Sequence, residues 1–205
     1  MTDSERSSRR REVTLAGHLG DRAVAEAALD DTDEAIRELA LGAMERLGAL
    51  DDHQLSRMIN DPSIRVRRRL AELLAAHTDV DPSSLLHDPD PTVVEVAAWA
   101  MGEREQVDDS TLNRLIALAT EHTDPLVRES AAAALGAIGD PRGLPAILTA
   151  CDDKPAVRRR AVLALAPFEG PEVEAAIDRA LNDRDWQVRQ SAEDLRVRRP
   201  HRRMS

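Results

Sequence analysis

The sequence predicts an all-α chain, an α-solenoid of about six to seven stacked antiparallel helix pairs. Three observations predict it. One unit recurs along the chain at spacings of 27 to 34 residues, the mark of a repeat array. Each copy carries apolar residues at i, i+3 and i+4, the stripe of a helix. The 205 residues include only three aromatics (Trp99, Phe168, Trp186) and no Tyr, too few for a β-sandwich or barrel.

The elements follow in order. The repeat reads Asp-Pro-x-Val-Arg-x-x-Ala-Ala-x-Ala-Leu-Gly, clearest at Asp124-Pro125-Leu126-Val127-Arg128 with Ala131, Ala132, Ala134, Leu135 and Gly136. Taking its Val or Ile as position zero, the anchors are Ile36, Val66, Val93, Val127, Val157 and Val188. A degenerate copy precedes them. Leu15, Ala16 and Leu19 lie on its first helix, Gly20-Asp21 makes its turn, and Val24, Ala27 and Ala28 face inward from its second. Each unit reads as helix A, a short turn, then helix B. Helix B is marked by Leu55, Met58 and Ile59 after Asp51-Asp52, and by Leu112, Leu115 and Ile116 after Asp108-Asp109. Leu144, Ile147 and Leu148 follow Gly139-Asp140-Pro141, and Val173, Ala176 and Ile177 follow Gly170-Pro171. Asp, Pro and Gly at the joints are helix start and stop signals. Repeat two is the weakest, with only Ser83 to His87 available for its helix B. Residues 1–8 are expected as a flexible N-terminal tail, 9–195 as the repeat solenoid, and 196–205 as a basic disordered C-terminal tail.

Charge narrows the function classes. Lys+Arg is 28 against 38 Asp+Glu, a formal net charge of -10. The basic ends leave a still more acidic body, which repels phosphate backbones, so nucleic-acid binding is not the expected role. Lys154 is the only Lys, a bias a G+C-rich genome would produce. Cys151 is the only cysteine, which excludes an intrachain disulfide or Cys-based zinc framework. The polar start is no secretory signal, and no apolar run approaches the ~20 residues of a membrane span. A cytoplasmic location is expected, with no cofactor and no metal. Oligomeric state is not readable, and a monomer is favoured.

A helical wheel explains the repeat. Positions 0, +4, +5, +7 and +8 form one apolar arc, with small Ala letting helices approach closely. Position +1 falls inside that arc, yet it is Arg37, Arg67, Arg128, Arg158 and Arg189. A guanidinium there needs a partner. Acids stand at -3 or -4 in Asp33, Asp90, Asp124, Asp153 and Asp185, where an Asp caps a helix N-terminus. The expected arrangement is a structural ladder in which each Arg reaches the capping Asp or turn carbonyls of a neighbouring repeat. Val94 replaces the Arg in copy three, so one rung should be missing.

Asp90-Pro91-Thr92-Val93, Asp124-Pro125-Leu126-Val127-Arg128 and Val157-Arg158, with their trailing Ala and Leu, resemble HEAT repeats of the short phycobilisome-lyase-like subtype. The resemblance covers roughly residues 9 to 195. It implies an armadillo-type right-handed superhelix with A helices convex and B helices concave. It also implies a non-enzymatic scaffold or adaptor that binds a protein partner through the concave face. Two other readings stay open, a nucleic-acid-binding protein like the HEAT-like DNA glycosylases, or a lyase-like accessory subunit. The di-iron hydroxylases of this fold use His-Glu pairs, and none of the six His here precedes a Glu. A Gly-rich phosphate loop and a Gly-x-Ser-x-Gly elbow are also absent, so no catalytic residue is assigned.

The candidate protein-binding residues are Arg57, His87, Arg114 and Trp99. The first three share one exposed register of helix B and would line up as a cationic column, continued by Ala146 and Ala175. Trp99 sits at +6, opposite the apolar arc, where an outward aromatic would anchor a partner. Trp186 is expected to seal the last turn. Arg68, Arg69, Arg159 and Arg160 point outward and read as a solvated face or a strip for phosphate or lipid. His87, Asp88 and Asp90 read as a capped turn sooner than as metal ligands.

Overall fold

Aspartate in an extended backbone starts five of the α-helices. The computed structural model describes residues 2–198. In it Asp33, Asp90 and Asp124 each accept a hydrogen bond from an amide in the following turn, satisfying a donor that the helix leaves orphaned. Pro91, Pro125, Pro155 and Pro171 take the first helical position, where no N–H is needed. Gly20 and Gly139 end their helices at φ 83° and 70°, a conformation open to glycine.

The described residues form twelve α-helices and no strand. They are α1 (Asp3–Leu19), α2 (Arg22–Ala27), α3 (Glu34–Arg46), α4 (Asp52–Met58), α5 (Ile64–Leu74) and α6 (Pro91–Gly102). Then come α7 (Asp109–Glu121), α8 (Pro125–Ile138), α9 (Leu144–Ala150), α10 (Pro155–Ala164), α11 (Pro171–Leu181) and α12 (Trp186–Arg198). The fold class is the all-α solenoid, built as helix pairs. The chain divides into two compact units, one through Leu85 and one from Leu86. In the first, the A helices α1, α3 and α5 pack in series, with α2 on α1 and α3, and α4 on α5. In the second, α6, α8, α10 and α12 pack in series, with α7 on α8, α9 on α8 and α10, and α11 on α12.

All six anchors are buried, each no more than 1% exposed. Leu41, Met44, Leu55, Leu70 and Leu74 complete the first core, and Met101, Leu112, Leu115, Ile147 and Ile177 the second. Close approach of the A helices depends on glycine at +9. A Cβ on Gly17 would lie 2.8 Å from the Ala43 Cα, on Gly102 3.0 Å from that of Ala134, and on Gly136 2.6 Å from that of Ala164. In each case +9 of one A helix meets +7 of the next.

Some expectations shift. Residues 3–8, expected as a tail, are helical, because Thr2 and Glu5 form a capping box that starts α1 early. Residues 196–198 belong to α12, and the rest of the expected C-terminal tail lies outside the described residues. Leu15 and Leu19 are exposed. Val13, Ala16 and Gly17 are the residues of α1 that are buried. On the second helix Ala25, Ala28 and Leu29 are inside and Ala27 is out. That set has the same i, i+3, i+4 spacing and buries a Leu. Helix B of repeat two is a single 3-10 segment, Ser83–His87, and the division between the units falls inside it.

Candidate protein-binding site

Each surface is read most directly from what its charges already hold. The +1 arginines hold their neighbours. Arg37 donates through Nε and Nη2 to the Asp61 carboxylate, both at 2.8 Å, and through Nη1 to the carbonyl of Asp31 at 2.8 Å. Arg128 repeats this with Asp153 (2.5 and 2.8 Å) and the His122 carbonyl. Arg158 repeats it with Asp183 (2.8 and 2.7 Å) and the Asp153 carbonyl. Arg67 and Arg189 make the same carbonyl contact, to Asp61 and Asp183. These planar, two-pronged pairs are nearly buried, so each charge requires its partner. Hydrogen bonding from Arg128 and Arg158 holds the Asp153 and Asp183 carboxyls below the usual carboxylate range. The same pairs raise Arg37, Arg128 and Arg158 above the ordinary guanidinium value.

The ladder therefore exists, with other acids than most of those expected. Asp33, Asp90, Asp124 and Asp185 cap their own helices by accepting from the amides of Ala35, Thr92, Leu126 and Gln187. Of the expected acids, Asp153 takes the +1 arginine of the preceding repeat, and Asp33 receives Arg10 of the preceding helix at 3.2 Å beside its capping bond. Asp61 and Asp183, which also hold such an arginine, stand at -5, two residues before the cap, as does Asp31, 3.6 Å from Arg9. The physical reason is reach. A cap turns inward onto its own amides, while the residue two earlier faces the preceding helix. Its first oxygen braces the turn through the amide of Ser63 or Asp185 and also receives the arginine. The paired acids of Asp31-Thr32-Asp33, Asp88-Pro89-Asp90 and Asp183-Arg184-Asp185 were the available signal.

The missing rung is missing on both sides. Val94 is buried where Arg stands elsewhere. At the matching -5 position the acid is replaced by His122, whose Nδ1 accepts from the Asp124 amide. Neither a lone buried Arg nor a lone buried Asp is left.

The helix-B cations are also engaged. Arg57 donates to Asp30 at 2.6 Å within the first unit. Arg114, in the second, donates Nε and Nη2 to the Leu86 carbonyl at 3.2 and 3.0 Å. His87 is exposed beside that carbonyl. Ala146 is buried, so the register turns inward at α9 and ends the column there. Asp88 and Asp90 close a turn, each accepting an amide two residues on, and no group of metal-ligating residues occurs among the described residues.

Trp99 lies open on α6, 45% exposed. In the second unit its +6 register continues as Ala133 on α8 and Leu163 on α10, and both reach the surface. Because α6, α8 and α10 pack in series, these three form an apolar ridge across the A helices. Its flanks are charged. Glu95 and Glu103 stand one turn either side of Trp99. Arg159 and Arg160 precede Leu163 and share one carboxylate, Glu129, at 3.6 and 3.5 Å. In the first unit the same register holds Gly42 and Glu72. Trp186, expected to seal a turn, is 64% exposed because the first position of α12 points to solvent. The Cys151 thiol is pushed up to about 12 by burial and is no ready nucleophile.

The comparisons agree with the repeat. Residues 82–166 match the family described as HEAT repeats. No curated protein matches the sequence. Among solved structures, the Escherichia coli protein YibA superposes with a TM-score of 0.68 at 19% identity, over 90% of this chain and 70% of that one. Two engineered proteins superpose at TM-scores of 0.61 and 0.59, each at 19% identity. The first covers 85% of this chain and 96% of its own, the second 86% and 97%. Identities this low carry the fold alone. No helix among the described residues is long and apolar enough to cross a membrane.

Proposed function

We propose that the protein is a non-enzymatic binding module of the cytoplasm that holds a helical segment of a partner protein on the A-helix ridge of its second unit. One observation carries this reading: Trp99 is exposed at the head of an apolar register shared with Ala133 and Leu163. Trp99 is 45% exposed, so covering it would add only part of the roughly 1.5 to 3 kcal/mol that full burial of a large apolar side chain is worth. The flanks specify the partner's chemistry. Carboxylates beside Trp99 and guanidinium groups beside Leu163 favour an amphipathic helix, basic at one end of its apolar stripe and acidic at the other. The helix-B cations contribute less, since Arg57 in the first unit and Arg114 in the second each spend donors within their own unit. Acidic net charge supports a protein partner over nucleic acid.

Panning a displayed library of helical peptides against the intact protein tests this. The enriched peptides should share an apolar i, i+4 stripe with that charge order, and Trp99→Ala should weaken them at least tenfold, about 1.4 kcal/mol. Enrichment indifferent to both Trp99→Ala and Leu163→Glu overturns the reading. A low-salt mobility shift with duplex DNA should show no complex at micromolar protein, and a shift would favour the nucleic-acid alternative.

A further inference from the structure

The first A helix of the first unit, α1, and the last A helix of the second, α12, each leave one face uncovered among the described residues, and the registers of those faces match. Inside each unit, +9 of one A helix lies against +7 of the next, at Gly17 and Ala43, Gly102 and Ala134, and Gly136 and Ala164. The +1 arginine reaches the acid of the following turn, as Arg158 reaches Asp183. Contacts in this order along both helices of each pair mean that successive A helices within a unit run parallel. One turn back from the glycine contact, +5 faces +3.

On α12 the outward positions are Arg189 at +1, Glu193 at +5 and Val197 at +9. Arg189 fixes Nη1 on the Asp183 and Arg184 carbonyls as the other rung arginines do. Its Nε and Nη2 edge, which in Arg37, Arg128 and Arg158 clasps an aspartate, has no partner among the described residues. Position +5 is a buried Leu41, Ala71, Ala98, Ala132 or Val162 elsewhere, but Glu193 is exposed here. Val197 is 85% exposed.

On α1 the register is set by Gly17 at +9 and by Arg9, which lies 3.6 Å from Asp31 as a +1 arginine should. Position -5 is then Asp3, +3 is Arg11 and +7 is Leu15, with Leu19 one turn on. Asp3 holds only an exposed pair with Arg6, and Arg11 has no partner among the described residues. Leu15 and Leu19 are 42% and 77% exposed.

We propose that α12 of one copy stacks on α1 of a second copy, head to tail, pairing Arg189 with Asp3, Glu193 with Arg11, and Val197 with Leu15 and Leu19. The +5 and +9 contacts reuse the register of the internal repeats, while Asp3 differs from the internal rung acids in lying inside its helix, one residue past the Thr2 cap. It departs from the monomer favoured by sequence. Because two different faces meet, the contact is heterologous and builds chains or rings of copies. It uses none of the ridge residues, so Trp99→Ala leaves it unchanged.

Sedimentation velocity of the full chain at rising concentration tests it. Species larger than the monomer should grow with concentration and recede with added salt, as exposed ion pairs are screened. Glu193→Arg should set two guanidinium groups against each other and weaken self-association at least tenfold, and Arg11→Glu should do the same with two carboxylates. The double variant restores the pair in reversed sense and should recover association to within about threefold of the original. Both positions are exposed, so circular dichroism should show unchanged helix content. A protein that stays monomeric at every concentration overturns the proposal. So does association that Glu193→Arg leaves intact, or a double variant no better than either single one.

Discussion

Arg158 is 7% exposed, yet it is charged, and the cost of that burial is met by one carboxylate and one carbonyl. Removing the carboxylate while keeping the shape should therefore cost far more than an exposed ion pair would. Asp183→Asn should destabilise the second unit by about 3 kcal/mol, read as a fall in the denaturant midpoint. Replacing both partners by Leu should recover most of that, because two buried charges leave together. The pH dependence has a definite sign. Asp183 has a lowered carboxyl pKa in the fold, so its contribution is complete above the ordinary carboxylate value. It is lost as pH falls through the lowered one. The difference between the original protein and Asp183→Asn should be full at pH 7 and narrow steadily below about pH 3.8. A difference that stays constant into acid would contradict the pairing.

At the scale of the helix, the glycine at +9 decides between two opposed effects. Gly136→Ala gains about 1 kcal/mol of helix propensity. It also drives a methyl to 2.5 Å from the Ala164 Cβ and 2.8 Å from the Ala164 carbonyl oxygen. Backbone cannot swing aside as a flexible side chain can. Overpacking of about 1 to 3 kcal/mol should win, and thermal unfolding of Gly136→Ala should come at lower temperature. Gly42→Ala provides the contrast. Its Cβ would meet only the end of the Arg69 side chain, at 3.6 Å, so that substitution should be neutral or stabilising. The 3-10 segment Ser83–His87 has too few residues for a hydrogen-bonded α-helical stack. Its amides should exchange with solvent faster than those of α7 or α8.

Across the molecule, what could be read from sequence followed the period. Val127, Ala131, Ala134 and Leu135 recur with such regularity that burial of every anchor was legible, as were the short helix B of repeat two and the absent rung at Val94. Positions where long side chains choose between neighbours were not legible. Nothing in spacing alone says that Asp33 turns inward to cap α3 while Asp61 faces the preceding helix and takes Arg37. Surface sites were harder still. Arg57 and Arg114 shared a register on paper, but that pattern could not show that Asp30 and the Leu86 carbonyl already hold them. Trp99 was recognisable as an outward aromatic, while its ridge emerged only when α6, α8 and α10 were seen to pack in series.

The central claim is that recognition occurs on the A-helix ridge. Site-specific photocrosslinking in the native cell tests it most directly, with the reactive group placed at Ala133 in the ridge or at Ala175, exposed on α11. A discrete adduct should form at position 133, disappear when Trp99→Ala is added, and be absent at position 175. An adduct at position 175 with none at 133, or one at 133 that survives Trp99→Ala, would contradict it.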